Sequence, residues 1–195
     1  IDPKALEDAC GPLTKAAIVV HMWGTVCNMD AIMKIAKKKK LFIIEDACQG
    51  VGGGYEKKML GTIGDVGAFS FNYYKNITSG EGGAVVSNDK KIIERAKCAI
   101  DPCHFYWQGR KNSFKPFASN GSRASEFMGA LLNIQLKRLP RMIKSMRAER
   151  NKILISTIFF ISDKCLRSAN ITSGTPFLIL LPVSILAKSS IFSIE

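Results

Sequence analysis

The sequence predicts an α/β fold, a mostly parallel sheet flanked by helices. Three observations carry the prediction. Short apolar, β-prone runs recur at residues 16–20, 41–44 and 66–71. A stretch with one apolar side, beginning near Asn28, separates the first two runs, and a second such stretch follows a strand at 84–87. Glycines crowd the connections, at positions 50, 52, 53, 54, 61, 64 and 67. Strand–helix–strand alternation favours parallel pairing, because a parallel return needs a crossover long enough to hold a helix. The runs are continuously apolar, so they read as strands buried on both faces.

The elements follow in order. Ala16–Val20 is the first strand and residues 21–27 a loop. Asn28 or Asp30 can cap a helix with Met29, Ile32, Met33 and Ala36 on one side. That helix closes on Lys37-Lys38-Lys39-Lys40, where cations complement the dipole. Residues 41–44 form the next strand, ending in Glu45-Asp46; residues 50–64 make a loop or short hairpin. Strands 66–71 and 84–87 bracket a polar turn, and Asp89 caps a helix running to about Ile100. Residues 101–121 are loop-like and mix aromatic with basic side chains. Helical periodicity spans 125–150, and Pro140 inside it predicts two helices. From about residue 156 charges thin out and no period is visible.

Composition narrows the class. A chain of 195 residues, 47% hydrophobic, holds about one domain with a sizeable core. It opens at Ile1 and reads as an excerpt or processed product, with no basic-then-apolar leader before the first strand. The longest apolar runs, 153–161 and 176–187, fall short of the roughly 20 residues of a spanning helix. A soluble, cytoplasmic protein with no membrane partner is expected. The net charge of +12 would suit nucleic acid, but the cations are spread, without an arginine-rich arm or base-stacking motif, so no nucleic-acid partner is expected. The six cysteines include no C-x-x-C pair and read as free thiols. Cys103-His104 are adjacent and have no partner cluster, so no metal site is expected.

Chemistry concentrates around Lys75. It sits in Ser70-Phe71-Asn72-Tyr73-Tyr74-Lys75-Asn76-Ile77-Thr78-Ser79-Gly80-Glu81-Gly82-Gly83, just past a strand end and before a glycine-rich turn. A lysine held by a buried strand tip can lose its proton and attack a carbonyl. Asp46 ends the preceding strand, in Glu45-Asp46-Ala47-Cys48-Gln49. In parallel sheets ligands bind beyond the carboxyl ends of the strands, so both tips point at one crevice. Each residue also has a plainer reading: Lys75 as a turn lysine, Asp46 as a helix cap, Ser70 as an ordinary strand-end serine.

Together these segments resemble the DegT/DnrJ/EryC1/StrS family, pyridoxal-phosphate (PLP) aminotransferases that act on nucleotide-linked keto sugars. The resemblance covers residues 1–153 and implies the large PLP-binding domain of a fold type I aminotransferase, incomplete at both ends. It implies part of that domain over 1–125, helices leading toward a small domain over 126–155, and a divergent or aberrant tail over 156–195. By position, Lys75 matches the Schiff-base lysine and Asp46 the partner of the pyridinium nitrogen. Gln49 matches the side chain at the ring hydroxyl, and Ser70 a phosphate-binding serine. His21-Met22-Trp23-Gly24 resembles a V-H-x-x-G loop, in which His21 packs the loop under the cofactor, with direct catalysis as the alternative. Glu45 and Glu81 fit behind the site or at a subunit contact. Asn120, in Asn120-Gly121-Ser122-Arg123-Ala124-Ser125-Glu126, resembles an asparagine that reaches the phosphate in the neighbouring subunit. It stands three residues before Arg123, where the commoner pattern has two.

The resemblance therefore implies a PLP-dependent transaminase. It would move an amino group from an amino acid, glutamate first, to a nucleotide-linked keto sugar, and would work as a homodimer. Some relatives dehydrate instead and carry histidine in place of this lysine, and Lys75 argues against that branch. The alternative is a non-catalytic, incomplete PLP-fold binding protein, because the phosphate-binding helix start and stacking aromatic of the family would precede Ile1.

Overall fold

Local signals set most element boundaries. The computed structural model describes residues 1–101 and 117–168, with side chains described to residue 157. Asp2 accepts the Ala5 N–H at 2.8 Å and caps α1 (Pro3–Ala9), whose first position is proline. After β1 (Ala16–Val20), one 3-10 turn (Met22–Gly24) leads to Asn28. Of the two candidate caps, the structure uses Asn28: its side chain accepts the Ala31 N–H at 3.1 Å and opens α2 (Met29–Lys39). Asp30 lies in the first turn and Lys37, Lys38 and Lys39 in the last, each where the helix dipole favours its charge.

Next come β2 (Phe42–Asp46) and a short hairpin of β3 (Gly54–Tyr55) with β4 (Lys58–Met59). Then follow β5 (Val66–Ser70), β6 (Gly83–Val86) and α3 (Lys90–Ile100), capped by Asp89. The main sheet has the order β1-β2-β5-β6. The first three strands are parallel, and β6 runs antiparallel to β5 because no helix separates the two.

The core lies on one face of this sheet. Val19 and Ile43 meet Met29, Ile32 and Ala36 of α2 and Leu6 of α1. The opposite face departs from the expectation of burial on both sides: Ile18 is 61% exposed and burial alternates along β1 and β2. Period-2 geometry sends alternate side chains to opposite faces, and α1 with α2 covers only one.

A second departure concerns Pro140. A single helix, α4 (Glu126–Ser168), runs through it where two helices were expected. Proline removes one i to i−4 hydrogen bond and costs roughly 3 kcal/mol, a local loss that a long helix survives. The helix also continues past residue 155, where the sequence texture changes. Loss of period removes an amphipathic stripe, which is a statement about burial and not about helicity. Ile1–Lys137 forms one compact unit, and a second begins at Arg138. No described helix is long and apolar enough to cross a membrane. Among the described residues no cluster of three or more His, Cys, Asp or Glu could hold a metal ion. Cys103, His104 and the aromatic-basic stretch 105–111 lie outside the described residues, as does the tail from 169.

Candidate active site at the carboxyl edge of the sheet

The parallel register brings three strand ends to one edge. Val20 pairs with Asp46, and Asp46 with Ala68. The backbone bonds continue one step further, from His21 N–H to the Asp46 carbonyl at 3.1 Å and from Ala47 N–H to the Ala68 carbonyl at 3.0 Å. Ser70 ends β5 at the same edge, opposite Gly83 where β6 begins.

Each side chain there is half-buried and shows a defined polarity. Asp46 Oδ1 accepts the Cys48 N–H at 3.1 Å, forming a tight turn after β2. Gln49 Oε1 accepts the Trp23 N–H at 3.1 Å, which leaves the Gln49 NH2 group as a donor. Trp23 holds a left-handed backbone, φ 50°, to make that bond. Ser70 Oγ accepts the Asn72 N–H at 3.4 Å, and its hydroxyl proton remains to donate. The Cys48 thiol is pushed up to about 11, by burial first and by the Asp46 carboxylate second, while the charge of Lys75 works in the opposite direction.

Lys75 stands in an ordered turn segment between β5 and β6. Phe71 N–H donates to the Gly82 carbonyl at 2.8 Å, Ser79 N–H to the Phe71 carbonyl at 3.0 Å, and Lys75 N–H to the Asn72 carbonyl at 3.0 Å. Ile77, fully buried, anchors the segment to the body. Gly80 and Gly82 take φ of 86° and 132°, values that only glycine adopts cheaply.

Behind this edge lies a polar cluster with no exposure. Glu45 accepts N–H bonds from Gly61 (2.8 Å), Gly64 (2.6 Å) and Ile63, and its Oε2 meets His21 Nε2 at 3.1 Å. Burial alone would raise the Glu45 carboxyl, but His21 and these three amides hold it below its ordinary value. Burial alone would lower His21, but the Cys27 side chain and the Glu45 carboxylate carry it up to about 9. Glu45 is fully enclosed within the chain, so it is not a subunit contact. It pins the glycine-rich loop, and His21 is structural.

Asp46 and Ser70 end neighbouring strands at this edge, and Gln49 and Lys75 lie in the loops that follow those strands. Asn120 lies in an exposed segment, tied to α3 by Ser122 N–H to the Ile100 carbonyl at 2.9 Å and by Arg123 with Asp101 at 3.7 Å. Sequence reasoning passed over Cys48, Trp23 and Asn72. Asn72 had a signal, an asparagine three residues before the lysine in a turn, which is a usual turn-opening position.

The DegT/DnrJ/EryC1/StrS aminotransferase family matches residues 1–159 of this chain. The chain belongs to that family. The match extends past residue 153, where the sequence resemblance ended. Among similar family proteins, the L-glutamine:2-deoxy-scyllo-inosose aminotransferase of Streptoalloteichus tenebrarius is 34% identical over 184 residues, covering 90% of this chain and 42% of that protein. The spore coat polysaccharide biosynthesis protein SpsC of Bacillus subtilis is 39% identical over 63% of this chain and 30% of its own length. GDP-perosamine synthase of Caulobacter vibrioides is 39% identical over 55% and 30%. This chain thus spans less than half the length of these relatives. Among solved structures, E. coli GDP-4-keto-6-deoxy-D-mannose-3-dehydratase with bound hydrated PLP is similar at TM-score 0.71 and 31% identity, over 77% of this chain and 42% of that one. 3-Amino-5-hydroxybenzoic acid synthase matches at TM-score 0.67 and 33% identity, over 77% and 39%. The α/β fold with a mostly parallel sheet is therefore the PLP-binding architecture of this family, present in part.

Proposed function

We propose that this chain is the central part of a PLP-dependent aminotransferase that moves an amino group from an amino acid, glutamate first, to the keto group of a nucleotide-linked sugar. One observation supports the reading: Asp46 and Ser70 end neighbouring parallel strands at one edge, Gln49 and Lys75 follow in the loops after them, and the four side chains differ in polarity. That donor set fits the cofactor. Asp46 would hold a proton at the ring nitrogen, the Gln49 NH2 would donate to the ring oxygen, Ser70 would donate to the phosphate, and Lys75 Nζ would hold the cofactor covalently. When bound, PLP supplies an electron sink for charge at the reacting carbon. Lys75 Nζ is the group placed to take up and return the proton there.

The acceptor class is supported by relatives named for GDP-perosamine and polysaccharide synthesis. Relatives named for an inosose make a cyclic ketone without a carrier the runner-up, and their name gives glutamine as donor. A structural neighbour is a dehydratase, but the lysine at position 75 favours amino transfer. The complete protein is proposed to be a cytoplasmic homodimer in which Asn120 reaches the partner's site. The proposed division is 1–125 for the cofactor domain, 126–155 for the helical connection and 156–195 for a divergent tail, with the single helix α4 crossing the last boundary to Ser168.

Addition of PLP to the full chain should give a visible absorption band that borohydride fixes to the peptide holding Lys75. Lys75→Ala should remove the band, the label and all amino transfer while keeping the circular dichroism of the parent. A band that survives in Lys75→Ala would mean another lysine holds the cofactor. A parent with no band would leave the non-catalytic binding protein as the better reading.

A further inference from the structure

Every hydrogen-bonding group of Asn72 is engaged in the turn that carries Lys75. Its N–H donates to Ser70 Oγ at 3.4 Å and its carbonyl accepts the Lys75 N–H at 3.0 Å. Its Oδ1 accepts the Tyr74 N–H at 3.2 Å, an Asx turn closing over residues 72–74. Its Nδ2 donates to both carboxylate oxygens of Glu81, at 3.0 and 3.2 Å. Glu81 lies between Gly80 and Gly82, whose positive φ values turn the chain so that its side chain reaches back across the loop. The Ser79 hydroxyl donates to the Glu81 carbonyl at 2.6 Å and fixes that backbone. Both ends of the lysine segment are therefore tied through one side chain.

We propose that Asn72 and Glu81 form a clamp that positions Lys75, with Asn72 as the positioning residue and Glu81 as its anchor. The inference deepens, and rests on, the reading of Lys75 as the cofactor lysine. Asparagine suits the place because it must accept from Tyr74 and donate to Glu81 at once. Aspartate would keep the Asx turn but set a carboxylate against the Glu81 carboxylate. Exchanging the two functions, aspartate at 72 and glutamine at 81, restores one acceptor facing one donor across the loop.

That exchange is the test. In the full chain, Asn72→Asp should slow borohydride-fixed capture of PLP at Lys75 by about tenfold, the worth of one charge-assisted hydrogen bond. The double variant Asn72→Asp with Glu81→Gln should return to within about threefold of the parent. In the cofactor-free chain, the amides of residues 74 and 75 should exchange hydrogen about tenfold faster in the single variant and recover in the double. The thermal midpoint should fall by only about 2–6 °C in the single variant, what one such hydrogen bond is worth in a chain of this size, and return in the double. Parent-like capture by Asn72→Asp, or a double variant no better than the single, overturns the clamp. If the parent is not captured at Lys75, the functional reading fails, while the hydrogen-exchange comparison still decides the clamp.

Discussion

A carboxylate removed from water persists only where its lone pairs are filled, and Glu45 fills them with three backbone N–H groups and an imidazole. Glu45→Ala should therefore cost about 3–5 kcal/mol, read as a lower urea midpoint, because it strands His21 and three amides together. The pH dependence follows from the same pair. The Glu45 carboxyl is depressed in the fold, so its contribution is present above 4.5 and fades as pH falls through the lower folded value. His21 is raised, so its contribution is complete below 6.5 and fades as pH rises through about 9. Urea midpoints should fall on both limbs, and a flat alkaline limb would remove His21 from the account. Asp46→Asn should keep a bound cofactor yet cut turnover on the order of a hundredfold, because a neutral partner no longer holds the ring proton. Near-parent turnover would remove Asp46 from the site.

At the scale of elements, β5 is held by a glycine that has no room to be anything else. A Cβ on Gly67 would lie 2.0 Å from the Gly61 carbonyl oxygen, and that neighbour is backbone. Gly67→Ala should cost about 1–3 kcal/mol or more by forcing the glycine-rich loop off the sheet, seen as a lower thermal midpoint. A neutral outcome would mean that the loop is not pinned there. The approach is close because Glu45, on the neighbouring strand, binds the amides of 61, 63 and 64 and draws that loop in. Caps were partly legible at this scale: residue type alone marked Asp89 as a helix start and narrowed the α2 start to Asn28 or Asp30, since such side chains bond locally. Pro140 misled because local propensity predicts a break that α4 does not make. Pro140→Ala should raise the protection of nearby amides, by up to about 3 kcal/mol in opening free energy.

At the scale of the whole molecule, large apolar side chains stand open around the site, with Trp23 and Tyr74 each nearly nine-tenths exposed. Scattered apolar residues are ordinary on a surface, but aromatics beside a cofactor edge suit a further wall. Under the proposed homodimer, the complete protein should show these two side chains protected from hydroxyl-radical labelling, and light scattering should give twice the chain mass. A monomer that still transaminates would end the role proposed for Asn120. By itself the sequence determined the succession of strands and helices from residue 16 to about 100, the Asp89 helix start, and the placing of Asp46 and Ser70 at strand ends with Gln49 and Lys75 just beyond. Those signals are local: apolar period, capping type and glycine punctuation are written in neighbouring residues. Only the tertiary structure decided which face of each strand is buried, because that depends on where α1 and α2 lie. It also decided that Glu45 is a buried pin and that Asn72 spans the lysine turn, since both act through partners residues away, and a hydrogen bond across a loop leaves no periodic trace in the chain.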